Sequence, residues 1–457
     1  MVPDLPSLSR RQLLGGLAGG AAVGSGFTAV TAAVRPTALP DILTDWATNH
    51  YPTPPAASSL WQPTVTEAHA REAVSLLDET QTAAENRRDE FDAEDSSRRF
   101  HGAGGWLEDA EASLEAGDYN DALFEARYGL QFAGQELGEL RAELDKADLE
   151  ALAERTLDLL DRLDSLAAAL EPYPVVDPER DLARYSRVEL ELQRGRHLAD
   201  WGDLTEVRAD PETDEPDLNP ASYDADDIGE ITSKIRRAEI AVESAERYDE
   251  HLRTDLEDAG AETTDYGPHL EELIGEFKAE LESMPTRDEV ESRYVDDDAE
   301  SYGPYEFAHW RLARACFPSR LSSLWRSQVG GDLRVLQVLG TARGLADWRA
   351  HEAAVDDFVV DPDDEGFDSG HAFAAKRRAR SVFRSVVGSD PTPFVAVLAE
   401  PGIADVRMAE IDRGSWADDD SSWTPWRERV QAYLHALRGR TRLQAYPDVY
   451  ERIVSAG

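Results

Sequence analysis

The chain has 457 residues and a formal charge of −45, from 92 acidic against 47 basic residues, and 41% of it is hydrophobic. The hydrophobic share excludes wholesale disorder, and so acidic a background, with no basic stripe, argues against nucleic acid as a partner. Cys316 is the single cysteine, so no intrachain disulfide can form, and its apolar helical setting predicts a buried thiol.

Residues 1–34 read as an address rather than as part of the fold. Ser9-Arg10-Arg11-Gln12-Leu13-Leu14 leads into a charge-free run, Gln12 to Val34, with six glycines, six alanines and three leucines. The run is long enough to span a bilayer but less apolar than a typical spanning helix. The stretch resembles a twin-arginine (Tat) export signal. That resemblance implies export in folded form, to the medium or the cell surface. The signal is either cleaved near Val30–Ala33 or kept as an N-terminal membrane anchor, the one membrane contact expected. The lysines are four, Lys146, Lys234, Lys278 and Lys376, and this acid-rich, lysine-poor balance resembles that of salt-in halophiles. It implies a surface built for molar salt, where a Debye length of about 3 Å removes most self-repulsion.

Residues 35–65 carry Pro36, Pro40, Pro54, Pro55 and Pro63 with little periodicity, and are expected to form a tether. Residues 66–200 are the first part of a helical bundle. A helix starts near Thr66, with Ala70, Ala73, Leu77 and Ala84 near one face, and residues 92–105 form a loop. The stretch Leu114–Leu123 resembles the helix-turn-helix of tetratricopeptide repeats, Gly117 closing one helix and Asp118 opening the next. It does not recur at the period of about 34 residues such arrays need, so a plain helical hairpin is predicted. Tyr119, Leu123, Ala126, Leu130, Ala133, Leu137, Leu140 and Leu144 keep a four-three spacing, as do Leu149, Leu152, Thr156, Leu159, Leu163, Leu166 and Leu170. Both match the period of roughly 3.5 residues of helices packed knobs into holes. The register breaks at Asp145–Asp148, either at a tight turn with Asp148 as N-cap or at a stutter in one long helix. The turn is preferred, because two antiparallel helices could bury each other's stripe. Asp177-Pro178 then starts a further helix.

Residues 201–226, acidic and aperiodic, are the internal linker or long loop, and residues 227–295 are the second part of the bundle. In the latter, Ile228, Ile231, Ile235, Ala238, Val242, Ala245, Leu252 and Leu256 fit one heptad register, interrupted at Asp249. Leu270, Leu273, Phe277, Leu281 and Met284 add another stripe. Residues 296–457 form an aromatic-rich helical domain with broader apolar faces, and helices are predicted over 371–386, 393–411 and 425–438, with a short one from Asp448. Period-two alternation is scarce, so the predicted class is all-α: a long antiparallel bundle with coiled-coil-like heptads, then a C-terminal globular helical domain.

Four features are candidates for chemistry. Asp361-Pro362-Asp363-Asp364-Glu365-Gly366-Phe367-Asp368 faintly resembles a calcium-binding EF-hand loop, but Ala372 stands where that loop needs a bidentate glutamate. The ten histidines show no i, i+4 pair and are expected at surfaces or caps. Trp416, Trp423 and Trp426 around Asp418-Asp419-Asp420 could stack on a ligand, or staple a loop to the core. Lys376-Arg377-Arg378-Ala379-Arg380 could dock the protein's own acids or an anionic lipid, or simply be a solvated face. No catalytic, cofactor-binding or metal-ligating residue is predicted. The reading is an exported halophilic binding or scaffolding protein of the cell surface, with a protein partner or self-association through helix faces. An extracellular enzyme with a cleft between bundle and C-terminal domain, and a helical partner subunit of a membrane complex, are the alternatives.

Overall fold

The structure is a computed structural model that describes residues 36–90, 104–200, 223–295, 302–317, 332–363, 365–411 and 425–455. The fold is all-α. Among the described residues the only sheet is one antiparallel pair of two-residue strands, β1 (Pro174–Val175) and β2 (Thr264–Asp265). The expected Tat-like stretch 1–34, the loop at 92–105 except Gly104 and Gly105, and all but the end of the 201–226 linker lie outside the described residues.

Polar caps set several of the helix starts. Thr66 caps α3 (Glu67–Arg88), its side chain accepting from the His69 amide at 3.3 Å. The hairpin of α4 (Gly104–Ala116) and α5 (Tyr119–Glu143) turns at Gly117, whose φ of 82° is the left-handed value a glycine adopts most easily. Asp118 stands at the start of α5 but makes no side-chain cap. At Asp145–Asp148 the chain turns: Asp145 has φ 50°, and Asp148 accepts from the Ala151 amide at 3.0 Å to open α6 (Leu149–Ala169). The two helices do not bury their stripes on one another as expected. They are joined end to end, and α5 packs on α3, α4 and α8 while α6 packs on α7 and α8.

The hub of this half is α8 (Ala225–Asp258), opened by a reciprocal capping box of Asp224 and Asp227 and packed on α5, on α6 and on α7 (Pro178–Ala199). Glycines let α5 and α8 approach closely: a Cβ on Gly134 would lie 2.7 Å from Ser233 Cα, and one on Gly138 2.5 Å from the Ile228 carbonyl oxygen. Asp249, the polar interruption of the heptads, is buried and ion-paired with Arg253 at 2.6 Å.

The second half is built on α15 (Pro425–Val454), against which pack α11 (Pro304–Cys316), α12 (Arg334–Asp356), α13 (Ser369–Val386) and α14 (Pro393–Met408). The helix α9 (Gly267–Glu282), assigned above to the bundle, packs instead on α12, its Leu270, Leu273 and Phe277 buried there. The short α10 (Arg287–Glu291) lies against α11. The predicted break before Asp448 is absent: α15 runs on through Pro447, because buried Tyr446, Val449 and Ile453 hold the last turns to the core.

The expected tether, 35–65, is a folded strap. Pro36–Ala38 forms a 3₁₀ turn, and α1 (Asp41–His50) packs on α13 while α2 (Ala57–Leu60) packs on α14. Asn49 exchanges a pair of 2.7 Å hydrogen bonds with the backbone of Ile411, and Arg429 pairs with Asp41 at 2.5 Å and Asp45 at 3.2 Å. Its proline density hid the helix, yet the strap's carbonyls serve as acceptors for basic side chains of the second half.

Candidate functional site

The basic run on α13 grips that strap. Lys376 is fully buried and donates to the Thr48 carbonyl at 2.8 Å, while Arg380 donates to the carbonyls of Pro52 and, at 2.7 Å, Thr53. Burial lowers the Lys376 ammonium to about 8. These two residues therefore serve the fold.

In the acidic loop, Asp368 accepts from the Gly370 amide at 2.6 Å as the N-cap of α13, and Phe367 beside it is buried. Among the described residues no three His, Cys, Asp or Glu side chains gather where they could hold a metal ion. Trp416 and Trp423 lie outside the described residues; Trp426 meets the edge of Phe307 at 5.6 Å and packs against the core. Cys316 is buried and its thiol is pushed up to about 12, which makes it inert. Three histidines depart from expectation: His69, His309 and His351 are buried, and burial lowers each to about 4, while His50, His197 and His251 are exposed as expected.

Three buried polar networks were not legible beforehand, since nothing marks one carboxylate among 92. In the first half, Glu191 meets three guanidiniums, Arg127 at 3.0 Å, Arg187 at 3.1 Å and Arg194 at 2.9 Å. Burial alone would raise this carboxyl, but the arginines hold it below its usual range. Next to it Ser244 gives its proton to the Ile240 carbonyl at 2.7 Å, so its oxygen accepts from Arg127 at 2.6 Å and from His69 at 2.9 Å. This serine–histidine pair is enclosed by α3, α5 and α8, with Ser244 at 0% exposure, so the hydroxyl cannot meet a substrate.

The second network joins the halves. Glu189 of α7 accepts from the amides of Val335 (3.1 Å) and Leu336 (2.7 Å) at the start of α12, and from the Tyr173 hydroxyl at 2.7 Å. Arg196 of α7 forks onto Asp332 at 2.6 and 3.0 Å. These groups tie α7 to the start of α12. In the third network, inside the second half, Arg442 bridges Asp347 (2.5 Å) and Asp405 (2.6 Å), and Arg438 also holds Asp405.

One surface feature stands apart from all this pairing. Phe124, Tyr128 and Phe132 follow one another at i, i+4 and i+8 on α5, with Trp106 of α4 against them. Tyr128 meets Trp106 at 4.5 Å and Phe132 at 5.3 Å, and stacks with Phe124 at 6.2 Å. Phe124 is 61% exposed and Tyr128 41% exposed, so the row faces solvent at one end and the core at the other. At a rise of about 1.5 Å per residue the row runs about 12 Å, two turns of helix.

Two domain families match the chain, both described as domains of unknown function: DUF8262 over residues 68–258 and DUF8264 over residues 267–455. The two spans meet at β2, where α8 ends and α9 begins, and so coincide with the two packed halves. No curated protein and no solved structure matches the chain.

Proposed function

We propose that this protein is an exported, halophilic binding or scaffolding protein of the cell surface, which takes hold of a protein partner through the aromatic row on α4 and α5. The observation that carries the reading is the exposure of Phe124 and Tyr128 as neighbouring, mutually stacked aromatics, whereas Ile42, Leu43, Val359 and Met408, also exposed, are aliphatic and belong to no such row. In molar salt a Debye length of about 3 Å leaves surface charge little reach, and apolar contact must supply the affinity. Stacked aromatics provide that contact area with little side-chain entropy to lose. The hairpin of α4 and α5 presents the row as a ridge beside Trp106, a shape that accepts an apolar helix face. The export half of the reading is supported by the Tat-like stretch and the lysine-poor, acidic composition.

The test is to express the full chain and a Phe124→Ser/Tyr128→Ser variant in a halophilic host. Protease treatment of intact cells and co-purification in molar salt are then compared. The reading expects both chains to be degraded from outside, and one stoichiometric protein to accompany the wild type alone. A protease-protected chain, or the same partner on both, would overturn it.

A further inference from the structure

We infer that the groove between α11 and α15 is a binding site for a small oxyanion, a phosphate or phosphate-bearing compound, held chiefly by Arg311. The groove is about 170 Å³ in volume, and Arg311, Arg314, Gln431, His435 and Arg438 line it around Leu434. With a water occupying roughly 30 Å³, that is space for a phosphate and a modest substituent.

Its charge runs against the rest of the molecule. The chain holds 92 acidic residues, yet among the described residues Arg311 has no carboxylate partner; its polar contact there is Gln431 at 3.4 Å, and its guanidinium lies 5.8 Å from the ring of Trp310. Arg314 uses Nε on Glu291 at 3.2 Å and stacks on Trp310 at 4.5 Å, and among the described residues its two terminal nitrogens make no further hydrogen bond. Arg438 gives Nε to Asp405 at 2.8 Å and one terminal nitrogen to the same carboxylate, and so keeps one terminal nitrogen over. Asp405 is the carboxylate nearest the floor, and it is 1% exposed and already shared with Arg442. The groove therefore offers guanidinium donors whose orientation is set by Trp310 and Asp405, with no free carboxylate to repel an anion. Guanidinium forks match phosphate oxygens in geometry, and pairs with fixed forks are the strong ones. The inference is independent of the aromatic row, which lies on the other half of the chain.

The experiment is calorimetric titration of the full chain with inorganic phosphate at constant ionic strength in potassium chloride, repeated with Arg311→Gln. Arg311 is exposed and makes no ion pair among the described residues, so the variant should melt as the wild type does. Saturable binding weakened about tenfold or more by Arg311→Gln is expected, the loss of one charge-assisted contact. A second arm uses phosphatidylglycerol vesicles: binding lost with the same variant identifies a lipid headgroup as the source of the phosphate. Absence of binding in both arms, or binding unchanged by Arg311→Gln and by Arg314→Gln, overturns the site.

Discussion

Glu189 and Glu191 stand two positions apart on α7 and meet opposite surroundings. Burial raises the first to about 7, although three donors face it, while three arginines pull the second below its normal range. Replacing Glu191 by Ala leaves those guanidiniums uncompensated and should cost about 3 kcal/mol in denaturant unfolding. A loss under about 1 kcal/mol would show that the cluster is not structural. The histidines make stability depend on pH. His69, His309 and His351 titrate near 4 in the fold against 6.5 in an open chain, so on acidification the unfolded chain takes up protons first. Stability is complete above 6.5 and falls as pH is lowered toward 4. Glu189 acts in the opposite sense: folded near 7 against 4.5, it favours the fold as pH drops from 7 to 4.5. Burial raises Asp347 and Glu243 as well, and they act with Glu189, so the imidazole share is isolated by substitution: the Tm lost between pH 7.5 and pH 5 at constant salt should be smaller in His69→Gln than in the wild type. An identical pH profile in the variant would contradict the burial of His69. None of this was legible in the sequence, because burial is what distinguishes these side chains and a lone His or Glu on a helix does not declare it.

At the scale of elements, local chemistry was legible and partners were not. Thr66, Asp148 and Asp177 open helices as their sequence context predicts, since a cap depends on a few neighbouring residues. The stripes of α5 and α6 share one spacing, and spacing cannot say which neighbour covers it; each helix found α8 instead of the other. The strap shows the same limit in reverse. Prolines broke the periodicity around α1, while the side chains that dock it, Lys376 and Arg380, lie more than 300 residues away in the chain. A testable consequence lies at Gly370, where an added Cβ would stand 2.6 Å from the backbone of Pro36 and Thr37. Both partners are backbone and cannot swing aside, so Gly370→Ala should release the strap at a cost of about 1–3 kcal/mol. Hydrogen exchange would show faster amides over 41–50; unchanged protection there would mean the strap is held without this contact.

On the scale of the whole molecule, two helical halves, each matched by its own domain family, are locked at Glu189 and at Arg196–Asp332. A net charge of −45 must be screened for this body to stay compact. Its melting temperature should fall steeply as potassium chloride drops from about 3 M to about 0.1 M, where the Debye length reaches about 10 Å. Salt-independent melting would count against the halophilic reading. Among the described residues no helix is long and apolar enough to cross a membrane. The most direct test places a photo-crosslinking residue at position 124 of the full chain, and a control at position 71 on α3, in living halophilic cells. The account predicts one discrete covalent adduct from position 124 and none from position 71. No adduct at 124, or the same adduct from both positions, would contradict it.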